Sequence, residues 1–234
     1  MTILIAEIGQ NHNGDIGLAK ELISAAKTNG ADIAKFQFYD ARALFSAKDN
    51  PWYDYNIKTE LSYRDVEILF DYCTKADIEF MVSSFDVERL KFVESLGVSR
   101  HKVASRSIAD PDLINTALGT GKEVYISLGH WKDEEFPVFS QPGDAKYLYC
   151  VSKYPTEIED IKFKSVSFDR YDGFSDHTIG IDIAKVAIAR GAKIIEKHFT
   201  LDHKMYGPDH SCSMLPDELA ELDRFRKSIE PSIN

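Results

Sequence analysis

Ile194-Ile-Glu-Lys-His-Phe-Thr-Leu201 (IIEKHFTL) sets a short buried-strand run against a row of charged side chains. Strand alternation places Glu196 and His198 on one side and Lys197 and Phe199 on the other. A second cluster, Gly173-Phe-Ser-Asp-His-Thr178, puts His177 twenty-one residues earlier, again at the end of a strand-like run and ahead of a helical pattern. One histidine at a strand end is usually a hydrogen-bonded structural residue, but two at neighbouring strand ends point to a divalent metal.

Working outward, short apolar runs alternate with amphipathic stretches along the whole chain. Strands are expected at Ile3–Gly9, Ile33–Phe38, Glu79–Ser83, Lys102–Ser105, Glu123–Ser127, Tyr147–Ser152, Gly173–Ser175 and Lys193–Phe199. Helices are expected at Leu18–Asn29, Tyr63–Lys75, Val87–Leu96, Pro111–Leu118, Ile179–Arg190 and Pro216–Ile229, several closed by a Gly stop, with Asp110-Pro111 in N-cap and N1 positions. Pro137, Pro142 and Gly143 leave the helix after the fifth strand short or absent, and Thr156–Phe168 allows only about two helical turns after the sixth. Eight strands joined by right-handed crossovers favour a single-domain (β/α)8 TIM barrel over residues 1–234, rather than a doubly wound open sheet.

The chain has 234 residues, 28 Lys+Arg against 38 Asp+Glu, and a formal charge of −10. That balance works against non-specific nucleic-acid or acidic-membrane binding. No signal-peptide pattern or long apolar run is present, so a soluble cytoplasmic protein is expected. Cys73, Cys150 and Cys212 have no CxxC spacing and read as reduced thiols.

In such a barrel, inward side chains at the C-terminal strand ends build the active site. Taken in order these are Glu7, Lys35 and Gln37, Ser83, Lys102 and Ser105, Ser127, Ser152 and Tyr154, Ser175 and His177, and His198. A purely structural barrel would end in Val, Ile or Leu, because an unpaired buried polar group costs on the order of a few kcal/mol. Hydroxyls at five strand ends together with two lysines describe an anion site. His177 and His198 sit on the opposite arc as metal ligands, with Glu7 or Asp209 as carboxylate or water-mediated partners. Two imidazoles with oxygen ligands and open positions suit manganese better than an all-oxygen magnesium site.

AEIGQNHNGD, GADIAKFQ, CVSKYPT, GFSDHTIGIDIA, EKHFTLD and GPDHSCSMLPDEL together resemble the sialic acid (N-acetylneuraminate) synthase family, over nearly the whole chain. The resemblance implies a (β/α)8 barrel that joins phosphoenolpyruvate to the open-chain aldehyde of an N-acetylated amino sugar. Phosphate would leave by C–O cleavage with help from a divalent metal, manganese first, with magnesium or cobalt as other choices. Carried over by position, Lys35 and Lys102 resemble binders of the phosphoenolpyruvate phosphate and carboxylate, and Ser83, Ser105, Ser127, Ser152 and Ser175 match positions around the same ligand. Glu7, Gln37, Tyr154 and Asp209 resemble substrate-side or catalytic residues, and His177 and His198 the two metal-binding histidines.

Three departures bear on the acceptor. Arg106 and Ser107, in KVASRSIA, stand where the family has Gly and an acid, so an acid contacting the sugar is gone and a planar donor suited to an anion stands beside its place. SLGHWKDEE replaces Ser-Thr-Gly-Met and a clear helix. Family members usually continue into a small antifreeze-like domain that, in a dimer, lends an Arg to the neighbouring site; this sequence runs to Asn234, just after the eighth helical pattern. A homodimer is therefore expected, with a separate capping subunit as one way to complete the site. A nonulosonate-type synthase is the leading expectation. A related synthase with a different or phosphorylated aldehyde, a non-catalytic barrel, and a Schiff-base aldolase using Lys35 are the alternatives.

Overall fold

The computed structural model describes residues 1–233. Eight parallel strands close in sequence order, β1 pairing with β8. They are β1 (Ile3–Gly9), β2 (Ile33–Phe38), β3 (Glu79–Ser84), β4 (Arg100–Val103), β5 (Glu123–Ser127), β6 (Asp144–Cys150), β7 (Gly173–Asp176) and β8 (Ile194–His198). The (β/α)8 barrel read from the alternation is the observed fold.

Period-two alternation builds two cores of opposite character. Outward residues such as Ala6, Ile8, Phe36, Phe38, Phe80 and Val82 bury against the helices. Inward, the lower layer is apolar: Ile5, Ile33, Met81, Tyr125, Leu148 and Ile194 fill the barrel. Two residues further along several of the same strands, the inward positions become Glu7, Lys35, Ser83, Ser127 and Glu196, all buried. Gly173 belongs to the crowded lower layer, where a Cβ would lie 2.3 Å from the Ile194 carbonyl oxygen.

Around the strands lie α1 (Ile16–Thr28), α2 (Ala41–Leu44), α3 (Tyr53–Lys58), α4 (Tyr63–Lys75), α5 (Val87–Ser95), α6 (Pro111–Leu118), α7 (Asp182–Ala189) and α8 (Pro216–Ile233). Asp15 caps α1, a Ser62–Asp65 capping box opens α4, and Asp86 and Asp110 cap α5 and α6. No helix follows β5, and β6 is followed only by a 3-10 turn at Ile158–Asp160. There Trp131, Phe136, Phe139, Tyr147 and Tyr171 do the covering instead.

Some boundaries differ from those expected. The fourth strand begins at Arg100 and ends at Val103, so Ser105 lies in a 3-10 turn beyond it; the sixth begins at Asp144 and ends at Cys150, leaving Ser152 in the following loop. Both serines had looked like strand ends because the polar switch falls just past the last paired residue. The α2 and α3 helices of the long segment after β2 were not anticipated; at four and six residues they are too short for a periodic signal. All three cysteines are free and buried. Among the described residues no helix is long and apolar enough to cross a membrane.

Candidate active site

The C-terminal end of the barrel holds a floor of buried charge. Lys35 Nζ lies 2.6 Å from Glu7 Oε2 and 3.5 Å from Glu196 Oε2, and Lys102 Nζ lies 3.8 Å from Glu196 Oε1. Lys35 donates to Ser83 Oγ (3.1 Å), Lys102 to Ser127 Oγ (2.8 Å) and the Val103 carbonyl (3.0 Å), and Ser175 Oγ to Glu196 Oε1 (2.9 Å). Gln37 donates to Glu7 Oε1 at 3.1 Å.

These contacts set the charges. Burial works against the Lys35 ammonium, but Glu196 and Glu7 outweigh it and raise its pKa. At Lys102 burial wins over the more distant Glu196, and its pKa is lowered. Burial opposes ionisation of Glu196, yet Lys102 and Lys35 pull its pKa down to about 2. The floor is two cations balanced by two carboxylates, in a constricted space of about 60 Å³.

The expected separation of an anion arc from a metal arc is not what forms. Glu196 shares β8 with His198 and reaches both lysines, so the arcs meet. Glu196 is a charged site residue that the sequence reading left out of its candidates, although strand parity had already placed it beside His198. Glu7, expected as a substrate-side residue and, with Asp209 as the alternative, as a metal partner, forms an ion pair with Lys35.

His177 and His198 approach with ring centroids 5.7 Å apart, and the Tyr154 ring packs against His177 at 4.1 Å, tilted by 47°. His177 Nδ1 is 2.9 Å from the Val151 carbonyl. A carbonyl only accepts, so Nδ1 carries the hydrogen and Nε2 keeps its lone pair. Burial, and then His198, push the His177 pKa down to about 3, so the ring is neutral. His198 Nδ1 is buried without a hydrogen-bond partner, 3.8 Å from Asp209 Oδ2. A neutral imidazole fixed by a backbone carbonyl and a second with an orphaned nitrogen are the donor chemistry of a borderline divalent ion. No set of three His, Cys, Asp or Glu side chains converges on a metal position among the described residues, so other ligands would come from substrate and water.

Above the floor opens a cavity of about 600 Å³ lined by Gln10, Gln37, Phe45, Trp52, Asn56, Ser105, Arg106, Ser152, Tyr154, His198 and Asp209, among others. Every expected site residue therefore lines the floor or this mouth. Ser105 Oγ accepts from the His130 backbone N–H (2.7 Å) and from Ser152 Oγ (3.2 Å). Gly129 makes this packing feasible, since a Cβ there would sit 2.4 Å from Ser152 Oγ. Phe45, Trp52 and Asn56 were missed because they come from the irregular segment after β2. QNHNGD, the signature after β1, holds the rim together: Asn11 Nδ2 donates to the Phe199 carbonyl and Ser213 Oγ, and Gln10 Nε2 to Asn56 Oδ1.

The NeuB family model matches residues 22–233. The chain is 35% identical to the N,N'-diacetyllegionaminic acid synthase of Legionella pneumophila, covering 97% of this chain and 72% of that protein. It is 33% identical to the human N-acetylneuraminate-9-phosphate synthase, covering 98% and 70%. The crystal structure of the N-acetylneuraminic acid (sialic acid) synthetase of Leptospira borgpetersenii, in complex with citrate, superimposes with a TM-score of 0.90 at 30% identity over 100% of this chain and 85% of that one. Fold and sequence similarity agree over nearly the whole length, and the chain is an enzyme belonging to the NeuB family.

Proposed function

We propose that this chain condenses phosphoenolpyruvate with an open-chain aldehyde sugar to give a 3-deoxy-2-keto acid and inorganic phosphate. The observation that carries the reading is the floor itself: two buried lysines from non-neighbouring strands, each donating to a serine hydroxyl, with Glu7 close on Lys35 and Glu196 only at longer range from both. The similarity to an N,N'-diacetyllegionaminic acid synthase and an N-acetylneuraminate-9-phosphate synthase supports the same class.

In this reading Lys35 and Lys102 exchange their distant Glu196 contacts for the phosphate and carboxylate of phosphoenolpyruvate. Ser83 and Ser127, with Ser105, Ser152 and Ser175 around the rim, supply the remaining donors. C3 of the enol attacks the aldehyde carbon, water adds at C2, and the C2–O bond to phosphate breaks as the ketone forms. The two protons of that water balance the new hydroxyl on the former aldehyde oxygen and the proton taken by the departing phosphate. Glu7 and Gln37, hydrogen-bonded to each other beside Lys35, are placed to hold the water. Tyr154 and Asp209, at the mouth, position the acceptor. A divalent ion held by His177 and His198, manganese foremost, with magnesium and cobalt as other choices, would supply Lewis-acid polarisation of the aldehyde oxygen. Before substrate binds, Lys102 and Lys35 hold Glu196 ionised, and it restores the neutral floor once phosphate leaves. The aldolase alternative is disfavoured, since Glu7 at 2.6 Å keeps Lys35 an ammonium rather than a free amine nucleophile.

Phosphate release measured with phosphoenolpyruvate and a panel of aldehyde sugars tests the reading. Release that requires both substrates and a chelatable divalent ion is expected. No release with any aldehyde from a well-folded, metal-supplemented sample would overturn it.

A further inference from the structure

Arg106 lies in the 3-10 turn Ser105–Ser107, directly after the strand that delivers Lys102, and reaches into the mouth of the site. Its guanidinium stands 4.9 Å from the centre of the Phe45 ring, a contact that fixes the plane while leaving the edge N–H donors free. What sets it apart is the lack of a counter-charge. At the opposite end of the barrel, Arg226 is held by Asp32 and Asp223, and Arg100 by Glu79 and Glu123. Arg106 makes no ion pair among the described residues. Asp209, the acid that shares its cavity, is turned toward His198. Arg106 is exposed at the mouth, yet local desolvation pulls its pKa below the ordinary guanidinium value, opposed by Tyr154 and by no carboxylate.

A cation held on an aromatic face in a polar cavity, within a chain of net charge −10, is an anion subsite. The lysines of the floor are balanced by Glu7 and Glu196, so Arg106 is the uncompensated cation of the site. We infer that Arg106 makes this enzyme select an acceptor carrying its own anionic group, a phosphate monoester or carboxylate, at the end remote from the aldehyde. The inference rests on the proposed condensation for its acceptor chemistry, but it can be read by binding alone. In the mouth, the aldehyde end would face His177, His198 and Tyr154, and the anionic end the Arg106–Phe45 corner. The same bidentate fork discriminates against a neutral sugar, which would bury the guanidinium without a partner.

The test uses non-reacting acceptor analogues: the alditol of an N-acetylated hexosamine and its terminal phosphate monoester, titrated calorimetrically into the chain with phosphoenolpyruvate present at saturation. The phosphate should bind at least about ten-fold more tightly than the neutral alditol, and Arg106→Ala should bring that ratio close to one while phosphoenolpyruvate affinity holds. Arg106→Lys should restore part of the preference, because it keeps the charge without the planar fork. Three results would overturn the inference: equal affinity for the two analogues, a preference unchanged in Arg106→Ala, or displacement of the alditol phosphate by phosphoenolpyruvate one for one, which would place it on the lysine floor. Aldehyde-dependent phosphate release, measured separately, reports on the condensation itself, so the two ideas can fail independently.

Discussion

Two buried lysine–carboxylate groups lie one residue apart on opposite faces of the same strand, and they differ in kind. On the outer face Lys197 pairs with Asp176 at 3.1 Å, both wholly inaccessible. Lys197 also donates to the Thr178 carbonyl, and Asp176 accepts from the Thr178 backbone and hydroxyl, each at 2.8 Å. On the inner face Glu196 meets Lys35 at 3.5 Å and Lys102 at 3.8 Å, and its Oε2 has no hydrogen-bond partner. The outer pair is closed on every side; the inner cluster is balanced in charge, with Glu7 close on Lys35 at 2.6 Å but Glu196 slack toward both lysines. A buried charge pair repays its desolvation only when the remaining lone pairs and protons are satisfied, so the outer group is built to hold β7 to β8 and the inner one to receive something else. The cavity at the N-terminal end, about 440 Å³, follows the outer pattern, with Arg226, Lys146 and Glu230 each already in an ion pair.

The sharpest way to break this comparison is at the strand end that the outer pair holds in place. His198→Ala should reduce condensation to background and weaken divalent-metal binding, while thermal unfolding shifts by about 1 kcal/mol or less, because the ring packs little apolar surface. Full activity in a chelator-treated His198→Ala sample would show that the inner face does not carry the chemistry.

Lys197→Met tests the outer face. Removing one partner leaves Asp176 buried and uncompensated, so denaturant unfolding should show a loss of about 3–5 kcal/mol. A change under 1 kcal/mol would mean that the saturated pair is not structural.

Lys102→Met removes a cation from the slack cluster while keeping its stem. The KM for phosphoenolpyruvate should rise by roughly ten- to a hundred-fold, the equivalent of about 1.5–3 kcal/mol for one charge-assisted hydrogen bond. An unchanged KM would move the anion site elsewhere.

Much of this contrast was legible beforehand. The eight strands stood out as short apolar runs, and period two assigned Lys35, Gln37, Ser175, Glu196 and His198 to the interior before any contact was known. What alternation cannot give is who meets whom across the barrel. The lysine charges looked free in the sequence because Glu7 and Glu196 come from strands at the two ends of the chain that are brought together only by closure between β1 and β8. Phe45 and Trp52 stayed hidden for another reason: loop backbone has no period, so nothing in their spacing says that they face the site. Lys197 read as an outward residue, but its total burial depends on α7 packing over β7 and β8.

A pH-dependent effect concerns His12, buried outside the barrel near Phe36. Burial pushes its pKa from 6.5 down to about 4. Over that window the unfolded chain takes up a proton that the folded chain refuses, so stability falls as pH drops from 6.5 toward 4, by up to about 1.4 kcal/mol per pH unit. His12→Asn, which can still accept from the Gly14 N–H as Nδ1 does, should flatten that slope by about one proton. An unaltered slope would show that His12 is already protonated when folded.

The account turns on the inner cluster yielding to a ligand while the outer pair does not. Calorimetric titration of phosphoenolpyruvate into the parent chain, Lys35→Met and Lys197→Met, at a temperature where all three remain folded, tests this most directly. Affinity should fall at least about ten-fold in Lys35→Met and stay within two-fold of the parent in Lys197→Met. Parent-like binding by Lys35→Met, or equal losses in both variants, would contradict it.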